Sequence, residues 1–180
     1  MRIRGRSEAS RTRSRSGEAG AERARRAAHS IGFEAARDGA LDPDSTTADI
    51  DWTTNERFLS LRRALGITSF GLNQITLQPG QRGRIHRHHQ QEEVYLVMGG
   101  TLTVAVEGQE HELGEAQLMR VAPQVRRQLM NRGDRPCVVV AIGGAGEHVG
   151  RDGEAFADWP ETEGRPPQEL PLPEDLPTTQ

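Results

Sequence analysis

Between residues 55 and 145 the chain is a succession of short apolar runs with a period of two, each closed by glycine, proline, asparagine or aspartate. A period of two sends alternate side chains to opposite faces of a strand, whereas an amphipathic helix needs a period near 3.6. Thr101 to Glu107 is the clearest run, with Leu102, Val104 and Val106 in alternation. Phe58 to Leu61 reads as a short strand, followed by a bend from Arg62 to Gly66. Ser69 to Leu77 reads as a longer strand whose apolar parity switches between Leu72 and Ile75, which predicts a bulge. Gln78-Pro79-Gly80 is a turn, and Gly108-Gln109 fits a two-residue hairpin loop between 101–107 and Glu110 to Leu113. Further strands are expected over Gln117 to Val121, Gln128 to Asn131 and Cys137 to Ile142. Such spacing indicates an all-β sandwich or barrel and excludes a parallel α/β fold. No internal repeat is visible, so one unit is expected.

One stretch carries chemistry. His86 and His88 are two residues apart and so share a strand face, and Glu93 opens the next alternating run, with Tyr95 and Val97 on its parity. The carboxylate can meet the imidazoles across adjacent strands. Two imidazoles with one carboxylate suit iron, manganese, zinc or nickel, and form the facial set of non-haem iron oxygenases. His89 and Glu92 fall on the opposite parity and are expected in solvent. Val94, Leu96 and Met98 point outward yet are apolar, which calls for a cover. A second subunit or the 45–60 segment would supply it, and a homodimer is expected.

The flanks differ from this middle. Residues 1–37 are rich in arginine and residues 151–180 are acidic and proline-rich, although the net charge is only −3. Residues 1–50 are expected to be a disordered basic tail and linker, or an over-extended start of the coding frame, residues 51–145 the folded domain and 146–180 an acidic extension. Phe156 and Trp159 are expected to lay the chain back over the domain, with disorder from Pro160 onward. No helix pair within the basic tail supports nucleic-acid binding. Cys137, the only cysteine, reads as a small buried hydrophobe. No apolar run approaches the length of a membrane span, and a cytoplasmic location is expected.

The spacing of Gly80, His86, His88, Glu93 and Gly100 resembles the first motif of the cupins at every position. That resemblance implies a jelly-roll β-barrel of two antiparallel sheets with a divalent metal held inside by His86, His88 and Glu93. The second cupin motif is degenerate. Counting back from Asn131, which matches, the usual fourth ligand falls on Arg127 instead of a histidine, and Ala116, Ala122 and Gln124 replace the remaining motif residues. Gln128 would face the other way. A guanidinium stays protonated and cannot ligate. At about 4 Å two unit charges repel by roughly 4 kcal/mol at an effective dielectric of 20, and a divalent ion doubles this.

Two functional readings follow. In the first, the metal serves oxygenation, isomerisation or decarboxylation of a small polar or anionic substrate, with Arg127 and Tyr95 contacting the substrate. In the second, the chain is a metal-free, non-catalytic module that captures a small anion through Arg127.

Overall fold

The computed structural model describes residues 44–144 and 152–177. The chain divides after Asp44, and the second unit, from Ser45 onward, holds everything below. The readings of the basic tail fall outside the described residues.

The alternating runs become ten strands: Phe58–Leu59 (β1), Gly71–Leu77 (β2), Ile85–His88 (β3), Glu92–Gly99 (β4), Leu102–Val106 (β5), Gln109–Leu113 (β6), Leu118–Val121 (β7), Arg127–Met130 (β8), Cys137–Gly144 (β9) and Gly153–Phe156 (β10). They form two five-stranded sheets, β1-β2-β9-β4-β7 and β10-β3-β8-β5-β6, with every pairing antiparallel. The sheets face each other as in a jelly roll. Tyr95 and Val97 of β4 and Val139 of β9 meet Val104 of β5 and Leu129 of β8 in one buried cluster. Each such aliphatic side chain contributes about 1.5–3 kcal/mol on burial. Among the described residues no helix is long and apolar enough to cross a membrane.

Both glycines of the histidine motif sit at positive φ, Gly80 at 81° and Gly100 at 80°. At Gly100 a Cβ would fall 2.6 Å from the Pro136 carbonyl oxygen and 3.0 Å from the Cys137 Cα. Backbone cannot move aside as a side chain can, so only glycine lets β4 turn into β5 here.

Four local expectations need correction. Leu61–Leu65 is a short helix (α1), not a strand end and bend. The Ser60 side chain accepts from the Arg63 N–H at its start, and Gly66 closes it in the left-handed region. Strand β2 carries no bulge, for its register with β9 is unbroken from Gly71↔Gly143 to Leu77↔Cys137. The parity switch arises because Gln74 and Thr76, though polar, are buried. The Gln74 carboxamide accepts from Asp51 N at 2.9 Å, and its Nε2 donates to Asp51 O at 2.7 Å and Thr76 Oγ1 at 3.1 Å. A polar residue with every bond met can occupy a buried place without shifting register. The hairpin loop is Glu107-Gly108, with φ of 47° and 83°, the twist-matched turn with both central residues left-handed.

The fourth correction concerns the acidic end from Pro160 onward, expected to be disordered, whereas Phe156 and Trp159 before it are expected to lie on the domain. This end packs along the domain instead. Strand β10 pairs with β3 from Gly153↔His88 to Phe156↔Ile85. Phe156 is buried, with the guanidinium carbons of Arg87 and Arg126 each 5.5 Å from its ring centroid, and Arg126 also lies 5.8 Å from the Trp159 ring. Ala155 and Arg165 exchange backbone hydrogen bonds of 2.8 and 2.9 Å. A 3-10 turn, Pro167–Glu169, then leads to the buried Leu170. Beyond it, Leu176 N donates to Gly80 O at 2.7 Å, and Arg82 Nε donates to Glu174 O at 2.8 Å. The prolines remove few donors this strap needs, because its anchors are mostly its own carbonyls.

Val94, Leu96 and Met98 are half-buried. The 45–60 segment covers part of their sheet face: Asp51 is bonded to Gln74, and the Trp52 ring lies where a Gly99 side chain would point. Leu118 remains 61% exposed and Ile142 38% exposed.

Candidate metal centre

Two strands deliver the donors. His86 and His88 lie on β3, and Glu93 lies near the start of β4 in the opposite sheet. Their ligating atoms all fall within 4.8 Å of one another. Glu93 Oε2 is the shared point, at 3.2 Å from His88 Nε2 and 3.7 Å from His86 Nε2. The two rings stand nearly perpendicular at 88°, with centroids 5.5 Å apart. Donors about 2.1 Å from one ion stand about 3.0–3.4 Å apart in octahedral or tetrahedral arrangements. The two spacings to Glu93 Oε2 lie within a few tenths of an ångström of that range, and the donor set, two imidazoles and a carboxylate, suits a small divalent ion.

The ring nitrogens are prepared unequally. His86 Nδ1 lies 3.1 Å from Arg84 O, a carbonyl that can only accept, so a neutral His86 with its proton on Nδ1 would free the Nε2 lone pair for an ion. His88 Nδ1 lies 3.0 Å from Gln91 Nε2 and 3.9 Å from Asp152 Oδ2. Ligation through His88 Nε2 requires its proton on Nδ1, where the carboxamide oxygen of a rotated Gln91 or the Asp152 carboxylate can accept it. Burial alone would raise the Glu93 carboxyl, yet hydrogen bonds and charge from His86 and His88 hold it well below the usual range. The carboxylate is therefore ionised, as a ligand must be.

Tyr95 and Arg127 stand behind this carboxylate. Tyr95 Oη donates to Glu93 Oε2 at 2.5 Å, and burial together with the Glu93 charge keeps the phenol protonated. Arg127 is paired in register with His86 and therefore points to the same side. Its Nη1 donates to Pro123 O at 3.2 Å and Val125 O at 2.9 Å, and Nη2 lies 3.7 Å from Glu93 Oε2. Among the described residues Nε and Nη2 have no hydrogen-bond partner. The expected substrate contact of Arg127 needs correction: its side chain is 0% exposed and does not line the cavity, so it acts through Glu93.

The donors border a cavity of about 500 Å³, which Tyr95 also lines. Phe58 and Leu172, 59% and 47% exposed, mark its mouth, and the half-buried Glu93 and the buried Tyr95 mark its depth. Asp152, which the sequence did not single out, also borders the cavity. It follows the last sheet strand of the motif region, and its Oδ2 accepts from Gln90 N at 3.0 Å and Gln91 N at 2.8 Å. Those bonds fix the turn between the histidines and Glu93. His89 and Glu92 are exposed as expected, and Glu92 pairs with Arg120. Gln128 turns away and donates to Gly83 O, while Asn131 binds Leu77 O and Arg135 O and serves the turn.

Residues 73–143 match the family model described as the Cupin domain. No curated protein matches the chain. Among solved structures, a sugar phosphate isomerase from a cupin superfamily of Silicibacter pomeroyi is similar at 24% identity and a TM-score of 0.50, covering 67% of this chain and 83% of that one. A cupin protein from Bacteroides fragilis is similar at 23% identity and a TM-score of 0.50, covering 59% and 89%. At these identities the likeness speaks for the fold.

Proposed function

With residues 73–143 forming a cupin domain, we propose that this chain is a metal-dependent enzyme acting on a small anionic substrate. The observation that carries the reading is the convergence of His86, His88 and Glu93 within 4.8 Å beside a cavity large enough for a small molecule. A bound iron, manganese, zinc or nickel ion would supply Lewis-acid polarisation of a carbonyl or activation of dioxygen or water. Oxygenation, isomerisation and decarboxylation all draw on that chemistry, and the Silicibacter pomeroyi protein, named as a sugar phosphate isomerase, is similar in fold.

The chain's own residues set the conditions. Arg84 O fixes the His86 tautomer, and Asp152 with Gln91 orients His88. Tyr95 keeps its own proton, donates it as a hydrogen bond to the ionised Glu93 carboxylate and, lining the cavity, offers its ring to the substrate. Apolar walls exclude water and strengthen each charge inside.

A second reading is favoured by Arg127. With its guanidinium 3.7 Å from Glu93, the carboxylate already has a cationic partner, and the cavity would then capture a small anion without metal or catalysis. Elemental analysis of the untagged full chain, purified without chelators, separates the two. The enzyme reading expects about one ion per chain in the wild type. Sub-stoichiometric metal that Arg127→His restores supports the binding module. We also propose that the face carrying Leu118 and Ile142 pairs two copies of the chain. A monomer mass at every concentration tested contradicts that pairing.

A further inference from the structure

We infer that the cavity takes a small carboxylate with an apolar body, in preference to a polyhydroxylated sugar phosphate. The placement of the ligand's inner end rests on the metal centre proposed above, and the placement of its carboxylate rests on Arg84 alone.

Arg84 lines the cavity, half-buried, two residues before His86. Its Nε donates to Leu170 O at 2.8 Å, which fixes the guanidinium against the C-terminal strap. Among the described residues no carboxylate pairs with it, and none accepts from its two Nη groups. A half-buried cation with a free fork of donors is matched by one carboxylate. The cavity's second arginine differs. Arg57 is committed to Asp175 Oδ1 at 3.0 Å and Arg82 O at 3.3 Å.

Most of the remaining wall is hydrocarbon, contributed by Phe58, Ile75, Leu77, Leu129 and Leu172. The polar groups there are largely engaged: Tyr95 Oη with Glu93, Gln91 with His88, and Asp152 with backbone N–H groups. Asn73 is the exception, a carboxamide on the wall with no hydrogen bond among the described residues. A sugar phosphate brings several hydroxyls, and each one buried here without a partner lowers affinity. A carboxylate whose body is aliphatic or aromatic leaves none unmet. It places its charge on Arg84, its carbon on the apolar wall, and one further oxygen within reach of Asn73.

Calorimetric titration of the full chain with phenylpyruvate and with ribose 5-phosphate tests this, each with and without Mn²⁺. Phenylpyruvate is expected to bind at least tenfold more tightly than ribose 5-phosphate. Arg84→Gln is expected to weaken phenylpyruvate roughly tenfold or more, with Arg84→Lys in between. Ribose 5-phosphate binding as tightly as phenylpyruvate overturns the inference. So does undiminished phenylpyruvate binding by Arg84→Gln, or no phenylpyruvate binding in the wild type. Should Mn²⁺ fail to bind while phenylpyruvate still depends on Arg84, the metal centre falls and the ligand class stands.

Discussion

The stretch from 73 to 143 and the segments on either side of it divide the site between them. The first supplies every donor atom: His86, His88 and Glu93, with Tyr95 and Arg127 behind the carboxylate. The flanks supply no donor, but they set its surroundings. Asp152 clamps the turn between the histidines and Glu93, Asp51 satisfies buried Gln74, and Phe58, Pro167 and Leu172 finish the cavity wall. A motif can therefore be complete within one segment while the geometry that makes it useful is held from outside. Losses in the donor segment should be steep and specific to metal, and losses in the flanks should be graded.

The largest effect is expected from Glu93→Gln. Metal affinity should fall by more than the roughly 10–100-fold typical of residues that only support a ligand. Stability should also fall, by about 3 kcal/mol, because Arg127 then keeps a buried charge without its anion. Urea denaturation of Glu93→Gln and of Glu93→Gln with Arg127→Met checks this, and the double variant should recover part of the loss. If the single variant is as stable as wild type, Arg127 draws its compensation from the Pro123 and Val125 carbonyls instead.

Leu170→Ala probes the strap. Leu170 is buried, and truncating it should cost about 2 kcal/mol. A cost near zero would mean that the acidic end lies on the domain without supporting it. Asp152→Asn should cost less, about 1–2 kcal/mol, and weaken metal binding by about tenfold. Its pH dependence follows from the folded state. Burial raises the Asp152 carboxyl, but the Gln91 and Gln90 N–H groups and the charges of His88 and His89 outweigh it and lower the carboxyl below its ordinary value. A carboxyl depressed on folding contributes stability that is complete above its unfolded value, about 3.9, and is lost as pH falls through the lower folded one. In chelator, the stability gap between wild type and Asp152→Asn should narrow below about pH 4. A gap that widens with acid contradicts the assignment. The smallest effect belongs to the Arg57–Asp175 pair at the mouth, where Asp175 is half-exposed. A double-mutant cycle should return less than about 1 kcal/mol.

The same division explains what the sequence disclosed. The trio was legible because strand parity and fixed spacing are local properties, and Arg127 because its distance from Asn131 is too. The all-β architecture was legible from alternation in 101–107 and its neighbours. Parity misled at Gln74 and Thr76, whose burial depends on Asp51, more than twenty residues earlier in the chain. α1 was hidden because five residues carry too little periodicity, and its caps, Ser60 and Gly66, also read as turn residues. The strap was hidden because an acidic, proline-rich composition says nothing of carbonyls that accept from Arg82 and Arg84. Asp152 carried no motif at all; only pairing of β10 with β3 brings it to His88. Cys137 was read correctly. It is fully buried, and burial pushes its thiol up to about 12.

Anomalous diffraction from crystals of the full chain soaked in Mn²⁺ bears most directly on the centre itself. One peak is expected within about 2.0–2.3 Å of His86 Nε2, His88 Nε2 and a Glu93 oxygen, and none in crystals of Glu93→Gln. Clear density for the three side chains with no peak between them, or a peak elsewhere on the molecule, would contradict it.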